Sequence, residues 1–244
     1  MAAPNRVGSR ETVWTTTDTP KVTTDLAVTT GDIVVAVYIH ANPTPGTVTT
    51  GASSTATTAV WVQQVMISQA NNCEVELWTT TVTGNGNLQV SFAAESGIFG
   101  GFVTVWNASD GLGTVTPNTT YGTGACAVSF DPTATATDSA IVMGVGDWSA
   151  SAVAAVLTNM GAFTEVERSA VGADYSVYAG YHVNCGRNSA ANIGVNSTAL
   201  TWALVAIEVR GQAGGGVSTK PGMTVNRGVA RGINRGAVRY PTKR

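Results

Sequence analysis

Gly31-Asp-Ile-Val-Val-Ala-Val-Tyr-Ile-His40 decides the fold. Gly31-Asp32 is turn chemistry, and the run behind it is almost wholly apolar and rich in β-branched side chains that are stiff at χ1. The run is too short and too uniform for an amphipathic helix, so it predicts a strand, Ile33–His40, covered on both faces. The same rhythm extends outward on both sides. Before it, Glu11–Thr17 and Val22–Thr29 alternate. After it, Val60–Ser68 and Cys73–Val82 read as a hairpin across Gln69–Asn72, and Thr83-Gly-Asn-Gly-Asn87 is a turn signal. Leu88–Ala93, Phe99–Asn107, Ala125–Phe130, Ser139–Trp148, Phe163–Arg168, Tyr175–Asn184, Ala191–Asn196 and Leu200–Arg210 follow. Ser149–Asn159 is Ala-rich and reads as a loop or one helical turn. Thr and Val dominate and no convincing amphipathic helix interrupts the strands, so the class is all-β.

The two halves of this pattern resemble each other. Gly31–Tyr38, Val75-Glu-Leu-Trp78, Leu88–Phe92 and Gly101-Phe-Val-Thr-Val-Trp106 have counterparts in Asp138-Ser-Ala-Ile-Val-Met-Gly-Val145, Tyr175-Ser-Val-Tyr178, Asn192-Ile-Gly-Val195 and Trp202-Ala-Leu-Val-Ala-Ile207. The offset drifts little: Asp138 lies 107 residues beyond Gly31, and Trp202 lies 101 beyond Gly101. Such a pseudo-repeat predicts two opposing sheets of a β-sandwich, each covering the other's apolar face.

Charge is unevenly placed. Only 11% of the 244 residues are charged, against about 25% in an ordinary soluble domain. The surface must then be largely Thr, Ser, Asn and Gly, which suits assembly. Residues 1–219 hold six basic and all fifteen acidic residues, a balance of −9, whereas residues 220–244 hold seven basic residues and no acidic one, +7. Between them runs Gly211-Gln-Ala-Gly-Gly-Gly216, a flexible linker. The chain therefore divides into a β-sandwich domain (1–210), a Gly-rich linker (211–219) and a basic arm (220–244). The arm repeats Asn226-Arg-Gly-Val and Asn234-Arg-Gly-Ala, and its glycines disfavour a helix. An extended arm that orders on contact is expected. Its partner-binding residues are Arg227, Val229, Arg231, Ile233, Arg235 and Arg239. The apolar residues between the arginines favour a protein surface over nucleic acid, which needs only charge.

The catalytic inventory is thin. His40 and His182 end strands outside any metal or triad motif and are expected to be solvent-facing or strand-end residues. Glu74 and Glu76 share one strand face, as do Glu165 and Glu167. Paired carboxylates can hydrolyse glycosides, but the expected reading is an outward polar face with Val75 and Leu77 inward. No catalytic residue, metal or cofactor is expected. Cys73, Cys126 and Cys185 give neither a disulfide framework nor a zinc spacing, and read as free thiols in a reducing cytoplasm, with a Cys126–Cys185 pair the alternative. Of the six tryptophans, most sit inside strand patterns. Trp148, at a strand end, and Tyr181 are the candidates for stacking on a sugar. Met1–Arg10 has no apolar segment of a secretory signal, and no apolar run is long enough to span a bilayer.

Gly31-Asp-Ile-Val-Val-Ala-Val37, Val75-Glu-Leu-Trp78, Gly101-Phe-Val-Thr-Val-Trp-Asn107 and Ala203-Leu-Val-Ala-Ile-Glu-Val209 resemble strands of the small β-sandwich accessory proteins of tailed bacteriophages. These are the minor tail proteins and head decoration proteins of actinobacterial phages. The likeness spans roughly residues 25–211 and rests on strand rhythm, not on an invariant motif. It implies a jelly-roll or lectin-like sandwich in a multi-copy, homo-oligomeric virion part without catalysis. The arm would be laced onto a major capsid or tail protein. The alternative, read from Trp148 and Tyr181, is a carbohydrate-binding module that contacts the host cell envelope. Assembly would take place in the host cytoplasm.

Overall fold

The computed structural model describes residues 4–12, 19–41, 45–69, 73–95, 97, 99–107, 109–113, 122–123, 126–130, 139–147, 164–171, 175–185, 191–195 and 201–211. The strands of the first half are β1 (Asn5–Glu11), β2 (Lys21–Val22), β3 (Leu26–Val28), β4 (Ile33–His40), β5 (Val48–Thr50), β6 (Thr57–Thr58), β7 (Val62–Gln69), β8 (Cys73–Gly84), β9 (Gly86–Leu88), β10 (Val90–Phe92) and β11 (Phe99–Asn107). Those of the second are β12 (Ser109–Leu112), β13 (Gly122–Thr123), β14 (Cys126–Phe130), β15 (Ser139–Asp147), β16 (Thr164–Val171), β17 (Tyr175–Cys185), β18 (Ala191–Val195) and β19 (Thr201–Gly211). Among the described residues there is no helix. The protein is an all-β sandwich.

Two main sheets carry it. The first has the order β1-β11-β4-β8, with β6 and β7 both pairing with β8; the second has the order β12-β19-β15-β17-β16, with β13 on β19. Written from the edge inward, β1-β11-β4-β8-β7 and β12-β19-β15-β17-β16 are one strand order used twice. The internal repeat legible in the sequence is thus a repeat of topology. Each half also has a smaller pairing: β2-β10-β5 and β3-β9 in the first, β14-β18 in the second.

The period of two sorts the long run into two cores. Ile33, Val35, Val37 and Ile39 join Val75, Leu77, Phe102 and Trp106 against Val142, Ala179, Val205 and Ile207 of the second sheet. Val34, Ala36 and Tyr38 point the other way, onto Val48, Leu88, Val90, Phe92 and Phe99. Ile33–His40 is therefore covered on both faces, as its composition predicts, and each side chain of this size contributes about 1.5–3 kcal/mol on burial. The main sheets approach closely at Gly144, where a Cβ would overlap the Val37 side chain.

Local chemistry sets the boundaries. Gly31 takes φ 96°, a conformation that glycine adopts without penalty, and its N–H donates to Val82 O at 2.8 Å. The Asp32 carboxylate accepts from Thr29 N at 2.8 Å and Thr29 Oγ1 at 3.2 Å, closing the turn that launches β4. Two expected strands divide. Val22–Thr29 becomes β2 and β3, with Thr23 between them bonded through N and Oγ1 to Val90. Leu88–Ala93 becomes β9 and β10, because the Gln89 backbone bonds Ser54 Oγ and Gly51 N in place of a ladder neighbour. Of Glu11–Thr17 the described residues are Glu11, which ends β1, and Thr12; residues 13–18 lie outside the described residues.

By internal packing the chain separates into Met1–Gly214 and Gly215–Arg244. The arm residues Arg227, Val229, Arg231, Ile233, Arg235 and Arg239 lie outside the described residues, as do Ser149–Asn159 and Trp148. No helix among the described residues is long and apolar enough to cross a membrane.

Candidate functional site: a buried His–Glu–Glu cluster

β4 and β8 run antiparallel with His40 opposite Glu74, Tyr38 opposite Glu76 and Ala36 opposite Trp78. Alternation sends His40, Glu74 and Glu76 to one face, away from the Val75 and Leu77 face that meets the second sheet. That face is not solvent. His40 is 0% exposed, Glu74 1% and Glu76 0%. The Glu74–Glu76 pair, expected on an outward polar face, is instead buried. β8 lies between β4 and β7 in the sheet, and a layer of strands and connections covers the face that carries the carboxylates. His40 does end its strand, as expected, but inside the protein.

Glu76 is the hub. Its Oε1 accepts from His40 Nε2 at 2.9 Å and from the Gly46 backbone N–H at 2.7 Å. Its Oε2 accepts from Gln63 Nε2 at 3.0 Å and Trp78 Nε1 at 2.5 Å. Four donors saturate a carboxylate. Burial works to raise the Glu76 pKa, but the bonds from His40, the Gly46 N–H and Trp78 outweigh it, and the carboxyl is held below its ordinary value. Gly46 is required at its position, since a Cβ there would overlap the Tyr38 ring.

Glu74 is the opposite case. Burial raises its pKa and the Glu76 and Glu95 charges add to this; His40 and a side-chain hydrogen bond with Ser68 pull against it, and the net direction is upward. Its Oε2 sits 3.7 Å from His40 Nε2, beyond hydrogen-bond length. Among the described residues neither Glu74 Oε2 nor His40 Nδ1 has a hydrogen-bond partner. The cluster thus holds one well-solvated anion and one carboxyl biased towards its proton. Tyr38 closes the site: its ring lies 4.6 Å from the His40 ring, and its hydroxyl donates to Ala93 O at 2.7 Å. Burial, with the Glu95 and Glu76 charges, pushes that phenol far up.

The other sequence candidates do not converge on this cluster. His182 is half-buried on β17, with Nδ1 2.6 Å from Val183 O. Tyr181, a candidate sugar platform, is 8% exposed. Its ring packs edge-on against Trp106 at 5.6 Å, and the Arg6 guanidinium covers it at 5.0 Å, so no open face is left for a ligand. Glu165 and Glu167 lie on β16 with a register shift between them, which breaks the simple two-residue alternation. Cys73 opens β8, Cys126 opens β14 and Cys185 ends β17; their side chains, and the Cys126–Cys185 pairing, lie outside the described residues. A surface groove of about 350 Å³ is lined by Ile33, Val60, Val62, Gln64, Thr80 and Leu112 among others, and no ionisable residue is among its lining. Sequence reasoning found Glu74 and Glu76 but not the bond between Glu76 and His40. The signal available was the strand pairing itself: a polar residue ending a two-face-buried strand, beside polar positions of the next strand.

Comparison with known proteins gives no match to a family model, a curated protein or a solved structure.

Proposed function

We propose that the protein is a non-catalytic structural component of a bacteriophage particle, a minor tail protein or head decoration protein. The β-sandwich is the displayed body and the basic arm grips a capsid or tail protein. The observation that carries this reading is the partition of charge: −9 over residues 1–219 and +7 over residues 220–244, separated by Gly211–Gly216. Opposite charges on two parts joined by a loose linker serve two separate contacts. Within the body, Glu76 is saturated by donors from its own chain. The rival reading, a carbohydrate-binding module for the host envelope, loses one of its two platforms with the burial of Tyr181. Ending the chain at Gly214 tests the proposal. The truncated body is expected to keep its melting temperature and to be missing from purified particles. Incorporation at full occupancy overturns the arm's role.

A further inference from the structure

We propose that His40, Glu74 and Glu76 form a structural site for one divalent transition-metal ion of the zinc class, held through His40 Nε2, Glu74 Oε2 and Glu76 Oε1.

One nitrogen and two carboxylate oxygens from these residues all lie within 4.8 Å of one another. The separations from His40 Nε2 are 2.9 Å to Glu76 Oε1 and 3.7 Å to Glu74 Oε2. Donors bound at about 2.0–2.2 Å around one zinc ion sit roughly this far apart. The second observation is Glu74 itself. A carboxylate 1% exposed has an oxygen turned towards His40 and, among the described residues, no hydrogen-bond partner for it. Leaving such a group unsatisfied is costly, and a cation is the partner a buried carboxylate pair lacks. Glu76 has room for the ion in one place only. Three of its four acceptor positions are held by Gly46, Gln63 and Trp78, and the fourth faces His40 Nε2. The ion takes the place of the proton between Nε2 and Oε1. The displaced imidazole proton moves to Nδ1, which has no competing partner among the described residues.

The donor set selects the ion. An imidazole with two carboxylates is a three-donor set that zinc and its first-row neighbours accept, with a water completing the fourth position. Calcium takes six to eight oxygens and magnesium keeps several waters, and neither is matched by two carboxylates and a ring nitrogen. Gly46 N, Gln63 and Trp78 orient Glu76 from behind, as outer partners orient ligands at metal sites. The ion would pin β4 to β8 at the end of the strand pair where His40 faces Glu74.

The test uses the full chain, refolded from denaturant with zinc chloride or with chelator so that a closed site can load. The expected result is one tightly held zinc per chain by elemental analysis and a higher melting temperature than the chelator-refolded protein. Calcium and magnesium should have no such effect. Cobalt loading should give ligand-field absorption without a thiolate charge-transfer band, which separates this site from the cysteines. Glu74→Gln, which removes a direct ligand, should weaken zinc by more than about 100-fold, beyond the loss from disturbing an outer partner. Glu74→Leu, which fills the space without a donor, should fold but show no zinc-dependent rise in melting temperature. The proposal is overturned by zinc-refolded protein that holds no metal, by a thiolate band, or by a folded Glu74→Leu variant that binds zinc as the parent does.

Discussion

At the level of single residues, Glu74 and Glu76 carry the same functional group on the same strand face, yet their surroundings give them opposite roles. Glu76→Gln removes the charge that four donors converge on, and its new amide N–H₂ must face a donor whichever way it turns. The expected loss is about 1–3 kcal/mol, the cost of leaving a buried hydrogen-bonding group unsatisfied, read by urea denaturation of metal-free protein. Glu74→Gln should cost less than about 1 kcal/mol, since the lost oxygen makes no hydrogen bond. The pH dependence separates the two further. Glu74 binds its proton more tightly folded than unfolded, so its contribution is complete below the ordinary value of 4.5 and is lost as pH rises through its raised value. Glu76, lowered, contributes fully above 4.5 and loses that contribution as pH falls through its depressed value. Metal-free parent protein should therefore lose stability relative to Glu74→Gln as pH rises from about 4.5 to neutrality. A parent-minus-variant difference that stays flat across that range contradicts the assignment. Residue types alone did not reveal this pair's setting, because charged side chains are read as surface by default. For Glu76 the reason is the convergence of His40, Gly46, Gln63 and Trp78 on one carboxylate, which the strand pairing brings about.

Among the elements, β4 and β11 were legible to the residue, Ile33–His40 and Phe99–Asn107. Both are continuous apolar runs covered on two faces, where composition and burial agree. β1 was missed. Its sequence, Asn-Arg-Val-Gly-Ser-Arg-Glu, has no apolar alternation, and its place at the sheet edge demands none. The split of Leu88–Ala93 was also illegible, because it depends on Gln89 bonding a turn some thirty-five residues earlier in the chain. The contact between the main sheets offers a test at this scale. Gly144→Ala places a methyl against Val37 and should cost about 1–3 kcal/mol as overpacking, measured as a fall in the urea midpoint at unchanged slope. A variant as stable as the parent would mean that the sheets can separate there without penalty.

The whole molecule is two like-ordered sheets closed face to face, and neither half can cover its apolar face alone. Val35, Val37, Ile39, Leu77, Phe102 and Trp106 would all lie open in the first half without the second. Residues 1–107 by themselves should therefore fail to give a native, dye-excluding fold. The intact body should unfold in one transition, followed alike by tryptophan fluorescence and circular dichroism. Two separated transitions would show that the halves are independent. The passage between halves is brief: β11 ends at Asn107 in one sheet and β12 begins at Ser109 in the other, where Ser109 Oγ donates to Arg210 O at 2.9 Å. A connection this short between mutually dependent halves invites exchange. During refolding at high concentration, the first half of one chain can close on the second half of another and recover the same interface in a swapped dimer. The duplicated strand order that makes the body compact thereby also makes it a building block for reciprocal pairing.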